Sequence, residues 1–241
     1  MSAIDGNGIE DLVRAGKVRV ALFPPVYNKD AVSGELRGWA VDLARELGAR
    51  LQVEALLVER SSPRKALEDV KTGACDVAFL TIDPSRSAEV DFSSPFIQYD
   101  FTYLVPAQSS IRRIADADRP GVRIAVASDH ASTLALSRIL RQAELLPAET
   151  PDAALNLLRS GRAEALASTR PWLLEASTQL PHSRVLEDRY GANFLAMVVA
   201  KEHAGRLTYI NRFIEEAKAS GLVQQAIERA GWRGVEVAPA G

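Results

Sequence analysis

Residues 73–96 read GACDVAFLTIDPSRSAEVDFSSPF, and the fold turns on the first fourteen of them. The preceding residues 67–72, LEDVKT, carry the apolar spacing of an amphipathic helix, and Gly73 is the expected helix stop. The apolar run from Cys75 to Leu80 then predicts a short buried strand, and Thr81-Ile82-Asp83-Pro84 a polar turn. Arg86 follows at the start of the next helix. Helix, glycine, strand and polar turn in that order are the grammar of a parallel sheet flanked by helices, where ligands collect at the carboxyl ends of the strands. A guanidinium at that place suits bidentate capture of a carboxylate. An exposed surface arginine is the competing reading.

The same grammar runs outward in both directions. Val18–Leu22 is a predicted strand, Ala40–Leu47 a helix closed by Gly48, Leu51–Val58 a strand and Pro63–Thr72 a helix. Phe101–Val105 is another strand. After Pro106 the pattern restarts with a strand at Ile124–Val126, helices at Ser132–Ala143 and Asp152–Ser160, and a strand at Glu164–Ala167. LEDVKTGACDVAFLTID and LNLLRSGRAEALASTRP (residues 67–83 and 155–171) share helix, glycine, acid, apolar strand and polar turn. That pseudo-repeat predicts two lobes of like construction. The last third, an apolar strand at Phe194–Ala200 and helices at Leu207–Ser220 and Leu222–Ala230, is expected to pack back on the first lobe.

Composition narrows the function classes. The 241 residues are 47% hydrophobic, 25% charged and 6% aromatic, with a formal net charge of −2. This is ordinary for a globular protein and carries no basic footprint of a nucleic-acid binder. No apolar run reaches the length of a membrane span, so no membrane insertion is expected. One cysteine, Cys75, excludes an internal disulfide, and His130, His182 and His203 lack metal-ligand spacing, so neither metal nor cofactor is expected. No nucleophile elbow, phosphate-cradling loop or zinc-protease motif is present. The first sixteen residues lack the basic and apolar regions of a secretory signal, which leaves a cytoplasmic protein or a chain that begins after a cleavage site.

Gly73-x-x-Asp76, Thr81-Ile82-Asp83-Pro84-Ser85-Arg86 and Val90-Asp91-Phe92-Ser93-x-Pro95-Phe96 together resemble the type 2 solute-binding proteins of ABC transporters, particularly the polar amino-acid-binding group. Gly34-x-x-x-Gly38-Trp39-x-Val41-Asp42-Leu43-Ala44 and Ala219-Ser220-Gly221-Leu222 extend the resemblance over nearly the whole chain. It implies an α/β, two-lobed periplasmic binding protein-like fold, each lobe a sheet flanked by helices, joined by two crossing hinge strands. Lobe 1 is then expected over residues 1–104 and 195–241 and lobe 2 over 105–194. The ligand is expected in the cleft between lobes, trapped by hinge closure. A monomeric periplasmic protein that meets a transporter permease is the implied setting.

By the same resemblance Arg86 anchors a ligand carboxylate and Thr81 adds its hydroxyl and N–H. Asp83 stands where the family commonly has threonine, either as an N-cap or as a carboxylate that selects a ligand donor. Phe23 and Tyr27 are the first aromatic candidates to line the site, with Trp39 and Phe79 next unless they are core. In lobe 2, His130 and Ala131 occupy the ligand-facing turn, with Ser132 or Asp129 capping the helix. Amino-acid binders in the family place an aspartate where this chain has Thr169. A hydroxyl cannot neutralise a desolvated ammonium, so the expected cargo is a carboxylate without an α-amino group. Arg170 could then meet a second acidic group, and Asp83 or Asp129 could instead take the ammonium. The superfamily also includes cyclohexadienyl dehydratase, but Thr169 stands where its chemistry would want an acid. A non-catalytic binding protein is therefore expected, ahead of the enzyme and of a sensor using the same clamp.

Overall fold

The computed structural model describes residue 13 and residues 16–128, 130–201 and 203–240. They form a mixed α/β chain in two compact units. The first holds Met1–Gln98, Phe194–Trp232 and Glu236–Gly241, and the second Tyr99–Asn193 and Arg233–Val235. The chain passes from one unit to the other inside two ten-residue strands, β7 (Ile97–Pro106) and β12 (Gly191–Ala200). The C-terminal residues 233–235 also group with the second unit.

In the first unit β1 (Lys17–Leu22) is central. It pairs in parallel with β4 (Glu54–Glu59) on one side and β5 (Val77–Thr81) on the other. Residues 195–198 of β12 run antiparallel beside β5, and β6 (Val90–Phe92) pairs with the end of β12. Helices α1 (Trp39–Leu51) and α2 (Pro63–Lys71) make the crossovers. The strands β2 (Asn28–Lys29) and β3 (Leu36–Arg37) form a small hairpin before α1. The tail helices α6 (Ala204–Ala219) and α7 (Leu222–Arg229) belong to this unit, and Arg229 of α7 reaches Asp42 of α1 at 3.0 Å. Every residue of β1 from Val20 to Leu22 and of β5 from Val77 to Phe79 is 0% exposed, which is why these strands read as unbroken apolar runs rather than as alternation.

The second unit repeats the plan. β8 (Arg123–Ala127) is central, parallel to β9 (Glu144–Ala148) and β10 (Ala165–Thr169), and β7 runs antiparallel beside β10. Crossovers are α3 (Ala131–Ile139) and α4 (Pro151–Arg159). Helix α5 (Arg170–Gln179) follows β10, β11 (Ser183–Val185) pairs with β7, and β13 (Val235–Val237) also pairs with β7. Each unit thus has a second-first-third strand order with an antiparallel fourth strand.

The pseudo-repeat has a structural cause. Asp76 accepts from the backbone N–H of Arg19 at 2.8 Å and from its guanidinium at 3.0 and 2.7 Å. Glu164 does the same for Arg123, at 2.7 Å from the N–H and 3.3 and 2.6 Å from the side chain. In both units the acid's own N–H donates to that arginine's carbonyl at 2.9 Å. One acid per unit therefore ties the entry of the third strand to the start of the first.

Several expected boundaries move; the strand expected from Leu51 begins at Glu54 and the helix expected from Leu207 begins at Ala204. Helix α1 runs through Gly48 to Leu51, because Gly48 serves close packing rather than termination: a Cβ there would lie 2.9 Å from both Ala55 N and Val53 O. The cap falls instead at Gln52, in the left-handed region at φ 56°. Helix α3 stops at Ile139, short of the expected Ala143, because the Asp118 carboxylate takes the N–H groups of Arg141, Gln142 and Ala143 at 2.7–3.0 Å. Those donations hold the Asp118 carboxyl below its ordinary range, with Ala143 and Gln142 the main causes.

Candidate functional site

In the first unit the carboxyl ends of β4, β1 and β5 lie side by side at Glu59, Leu22 and Thr81. This is the edge at which open α/β sheets receive ligands. β5 ends at Thr81 because Asp83 opens a turn. Its carboxylate accepts from Ser85 N at 2.8 Å and Ser85 Oγ at 2.7 Å, and its carbonyl takes the N–H groups of Arg86 and Ser87. These bonds from Ser85 hold the Asp83 carboxyl below its usual range. Asp83 is thus committed to the turn that presents Arg86 at the head of a 3₁₀ segment, Arg86–Ala88.

Arg86 itself is half-buried and holds little. One nitrogen donates to the Thr81 carbonyl at 3.3 Å, a long bond that orients the guanidinium toward the strand end. No carboxylate among the described residues forms an ion pair with it. Arg86 lines a cavity of about 370 Å³ together with Arg64, Leu67 and Lys71 of α2. Thr81 and Arg86 are therefore brought together, and the donors of Arg86 are largely uncommitted.

The aromatic candidates separate into two groups. Trp39 and Phe79 are 2% and 0% exposed, and their rings meet edge to face at 5.4 Å, with Phe96 and Trp232 completing the cluster. They are core of the first unit. The Trp39 indole N–H is buried without a partner among the described residues. Phe23 is buried at 7% exposure just past β1. Tyr27 reaches the strand-end edge, where its hydroxyl donates to Glu59 at 3.0 Å while Lys29 bridges the other carboxylate oxygen at 2.8 Å. Burial, then the bond to Glu59, raises the Tyr27 phenol, and Lys29 followed by Tyr27 lowers the Glu59 carboxyl. Glu59 was not among the sequence candidates; its signal is its place as the last residue of β4.

In the second unit His130 and Ala131 are exposed at the start of α3. His130 is the N-cap residue but its side chain makes no capping bond. Ser132 does not cap the helix either. It is 2% exposed and faces Tyr190, while Thr133 Oγ1 donates to the Ala127 carbonyl at 2.7 Å. Asp129 lies outside the described residues. Thr169 ends β10, half-buried, and is the N-cap residue of α5.

Arg170, expected as a possible partner for a second acidic group of the ligand, is occupied. Its guanidinium donates to the carbonyls of Leu186 at 2.8 Å and Glu187 at 2.7 Å and pairs with Asp100 at 3.3 Å. Its stem packs on Gly234, where a Cβ would come within 3.0 Å of Arg170 Cγ. Arg170 is a structural clamp of the second unit.

The single thiol, Cys75, is buried at 1% exposure and pushed up to about 11, chiefly by burial and next by Asp69. It is unsuited to nucleophilic work at neutral pH. Among the described residues no group of three or more His, Cys, Asp and Glu side chains is placed to hold a metal ion. No helix among them is long and apolar enough to cross a membrane.

Residues 18–232 match the family described as bacterial extracellular solute-binding proteins, family 3. Among curated proteins the chain is similar to a glutamine-binding protein of Geobacillus stearothermophilus. The two are 23% identical over 203 residues, covering 81% of this chain and 77% of that protein. It is also similar to the ABC transporter glutamine-binding protein of Bacillus subtilis (strain 168), at 22% identity, 83% of this chain and 75% of the relative. Among solved structures an ancestral cationic amino acid solute-binding protein superposes with a TM-score of 0.70 at 25% identity, over 93% of this chain and 98% of that one.

Proposed function

The chain belongs to family 3 of the bacterial extracellular solute-binding proteins, and from that premise we propose that it captures a small carboxylate-bearing ligand on Arg86. The observation that carries the proposal is the state of that guanidinium. It is fixed at the end of β5, opens on a cavity, and among the described residues holds one 3.3 Å bond to the Thr81 carbonyl and no acid. An arginine so placed gains two charge-assisted hydrogen bonds when a carboxylate arrives. Thr81 supplies a neighbouring hydroxyl, Tyr27 the aromatic wall, and His130, Ala131 and Thr169 the second unit's share of the contacts.

The ligand in this reading is an organic acid without an α-amino group. Thr169 carries no charge, Phe23 is apolar, and Asp83 is committed to Ser85, so none of them meets an ammonium. A second reading, an α-amino acid, draws support from Glu59, a carboxylate at the same strand-end edge, and from the relatives named for glutamine and cationic amino acids. The protein acts by ligand-driven closure, as a monomer without catalysis, and delivers its cargo outside the cytoplasm to an ABC transporter. The family's description and the transporter-linked relative support that setting.

A thermal-shift screen of α-amino acids against their deaminated analogues tests this. A ligand at 100 Kd stabilises by about 2.7 kcal/mol, roughly 5–10 °C for a chain of this size. Stabilisation by α-amino acids alone sinks the organic-acid reading, and the absence of any response to carboxylates sinks the anchor itself.

A further inference from the structure

The cavity beside Arg86 is larger than one carboxylate needs. At about 370 Å³ it lies within the range of small-molecule sites. It runs along α2 from Arg64 in the first turn to Lys71 in the last, two helical turns and about 10 Å apart, with Leu67 between them as an apolar floor at 9% exposure.

Its charges do not cancel. Three cations, Arg64, Lys71 and Arg86, face two carboxylates, Glu68 and Glu89. Lys71 lies 3.2 Å from Glu68 and 2.6 Å from Glu89, so both acids converge on the ammonium at the far end of the cavity. Among the described residues neither the Arg64 nor the Arg86 guanidinium forms an ion pair with these acids. Arg64 forms no hydrogen bond or ion pair among the described residues, although it stands in the first turn of α2, which holds no acid. A cation there opposes the helix dipole, and an uncompensated one is mildly destabilising. Glu68, four residues beyond Arg64 on the same helix, bonds Lys71 instead. Arg64 lines one cavity with Arg86, which likewise has no ion-pair partner among the described residues.

We propose that Arg64 is a specificity-determining residue that receives a second acidic group, so that the preferred ligand is a small dicarboxylate. This rests on Arg86 being the carboxylate anchor. One carboxylate of the ligand meets Arg86, the carbon chain crosses Leu67, and the other carboxylate meets Arg64. A monoacid leaves Arg64 as it is in the free protein. A diacid adds an ion pair at an exposed arginine, equivalent to about two- to fivefold in affinity.

Calorimetric titration with pairs that differ by one charge tests the assignment: glutarate against pentanoate, and glutamate against glutamine. Wild-type protein is expected to bind the diacid of at least one pair about two- to fivefold more tightly than its monoacid. Arg64→Gln, at an exposed position, should abolish that preference and leave monoacid affinity unchanged. Equal affinities within both pairs, a preference that survives Arg64→Gln, or failure of all four compounds to bind would overturn the proposal. Arg86→Ala separates the two readings. If it leaves binding intact, the anchor itself is wrong; if it abolishes binding while Arg64→Gln changes nothing, only the dicarboxylate assignment falls.

Discussion

Replacing Asp76 and Glu164 in turn by alanine measures what the two matched acids contribute. Both accept one backbone N–H and two guanidinium bonds, yet their surroundings differ. The Asp76 side chain is 0% exposed and that of Arg19 22%, whereas Glu164 and Arg123 are 37% and 40% exposed. Asp76→Ala leaves Arg19 with its charge half out of solvent and its N–H unpaired. Breaking a buried pair costs about 3–5 kcal/mol, and the partial exposure of Arg19 sets the value near the lower end. At about 3 kcal/mol the melting temperature falls by roughly 6–12 °C. Glu164→Ala removes the same bonds where water replaces them, and an exposed pair is worth about 0.2–1 kcal/mol. Thermal and urea unfolding of the two variants, monitored by near-ultraviolet circular dichroism, give the comparison directly. Equal losses, or a larger loss for Glu164→Ala, would refute the claim that burial rather than bond count sets the contribution.

Arg86→Ala should leave the melting temperature of the ligand-free protein within the equivalent of about 0.5 kcal/mol, because only one long bond to Thr81 is lost; a larger fall marks a structural arginine. Tyr103→Phe removes a hydroxyl that is buried without a partner among the described residues, and urea unfolding should show a gain of about 1 kcal/mol. A loss there would reveal a bridging water. Gly48→Ala, normally favourable inside a helix by up to about 1 kcal/mol, should destabilise by about 1–2 kcal/mol, since the new methyl meets backbone atoms of Val53 and Ala55. In acid, the carboxyls of Asp83, Asp118 and Glu164 are held below their ordinary values in the folded protein. Their stabilisation is therefore complete above the unfolded values near pH 4–4.5 and lost as the pH falls through the lower folded ones. Unfolding midpoints between pH 6 and 2.5 should show the loss, and Glu164→Gln should flatten its share.

Much of the fold was legible because the core strands of each unit are buried on both faces. Val77–Leu80 and Phe194–Ala200 stand out as apolar runs between glycine and turn residues, and α2 and α4 begin at Ser62-Pro63 and Thr150-Pro151, where the hydroxyl caps and proline takes the first turn. Gly48 misled because a glycine near a helix end suits both a stop and a close contact, and only the approach of β4 distinguishes them. The end of α3 was hidden for a related reason. Asp118, more than twenty residues earlier, supplies the acceptor that ends it. Short pairings such as β6 with β12 or β11 with β7 carry too few residues for any period to register.

The site divides along the same line. Sequence by itself determined the strand-end position of Thr81 and Arg86 and the repeated glycine-acid motif, because each follows from local order along the chain; the missing acid at Thr169 is what the family resemblance implies. Tertiary structure decided which charges are already satisfied. It assigned Asp83 to Ser85, Arg170 to three backbone carbonyls and Asp100, and Asp76 and Glu164 to the same joint in two units. It also brought Arg64 to the cavity of Arg86 across twenty-two residues of chain. Electrostatic partners are neighbours in space. Their distances along the chain, as different as two residues and fifty-seven, leave no common trace in the sequence.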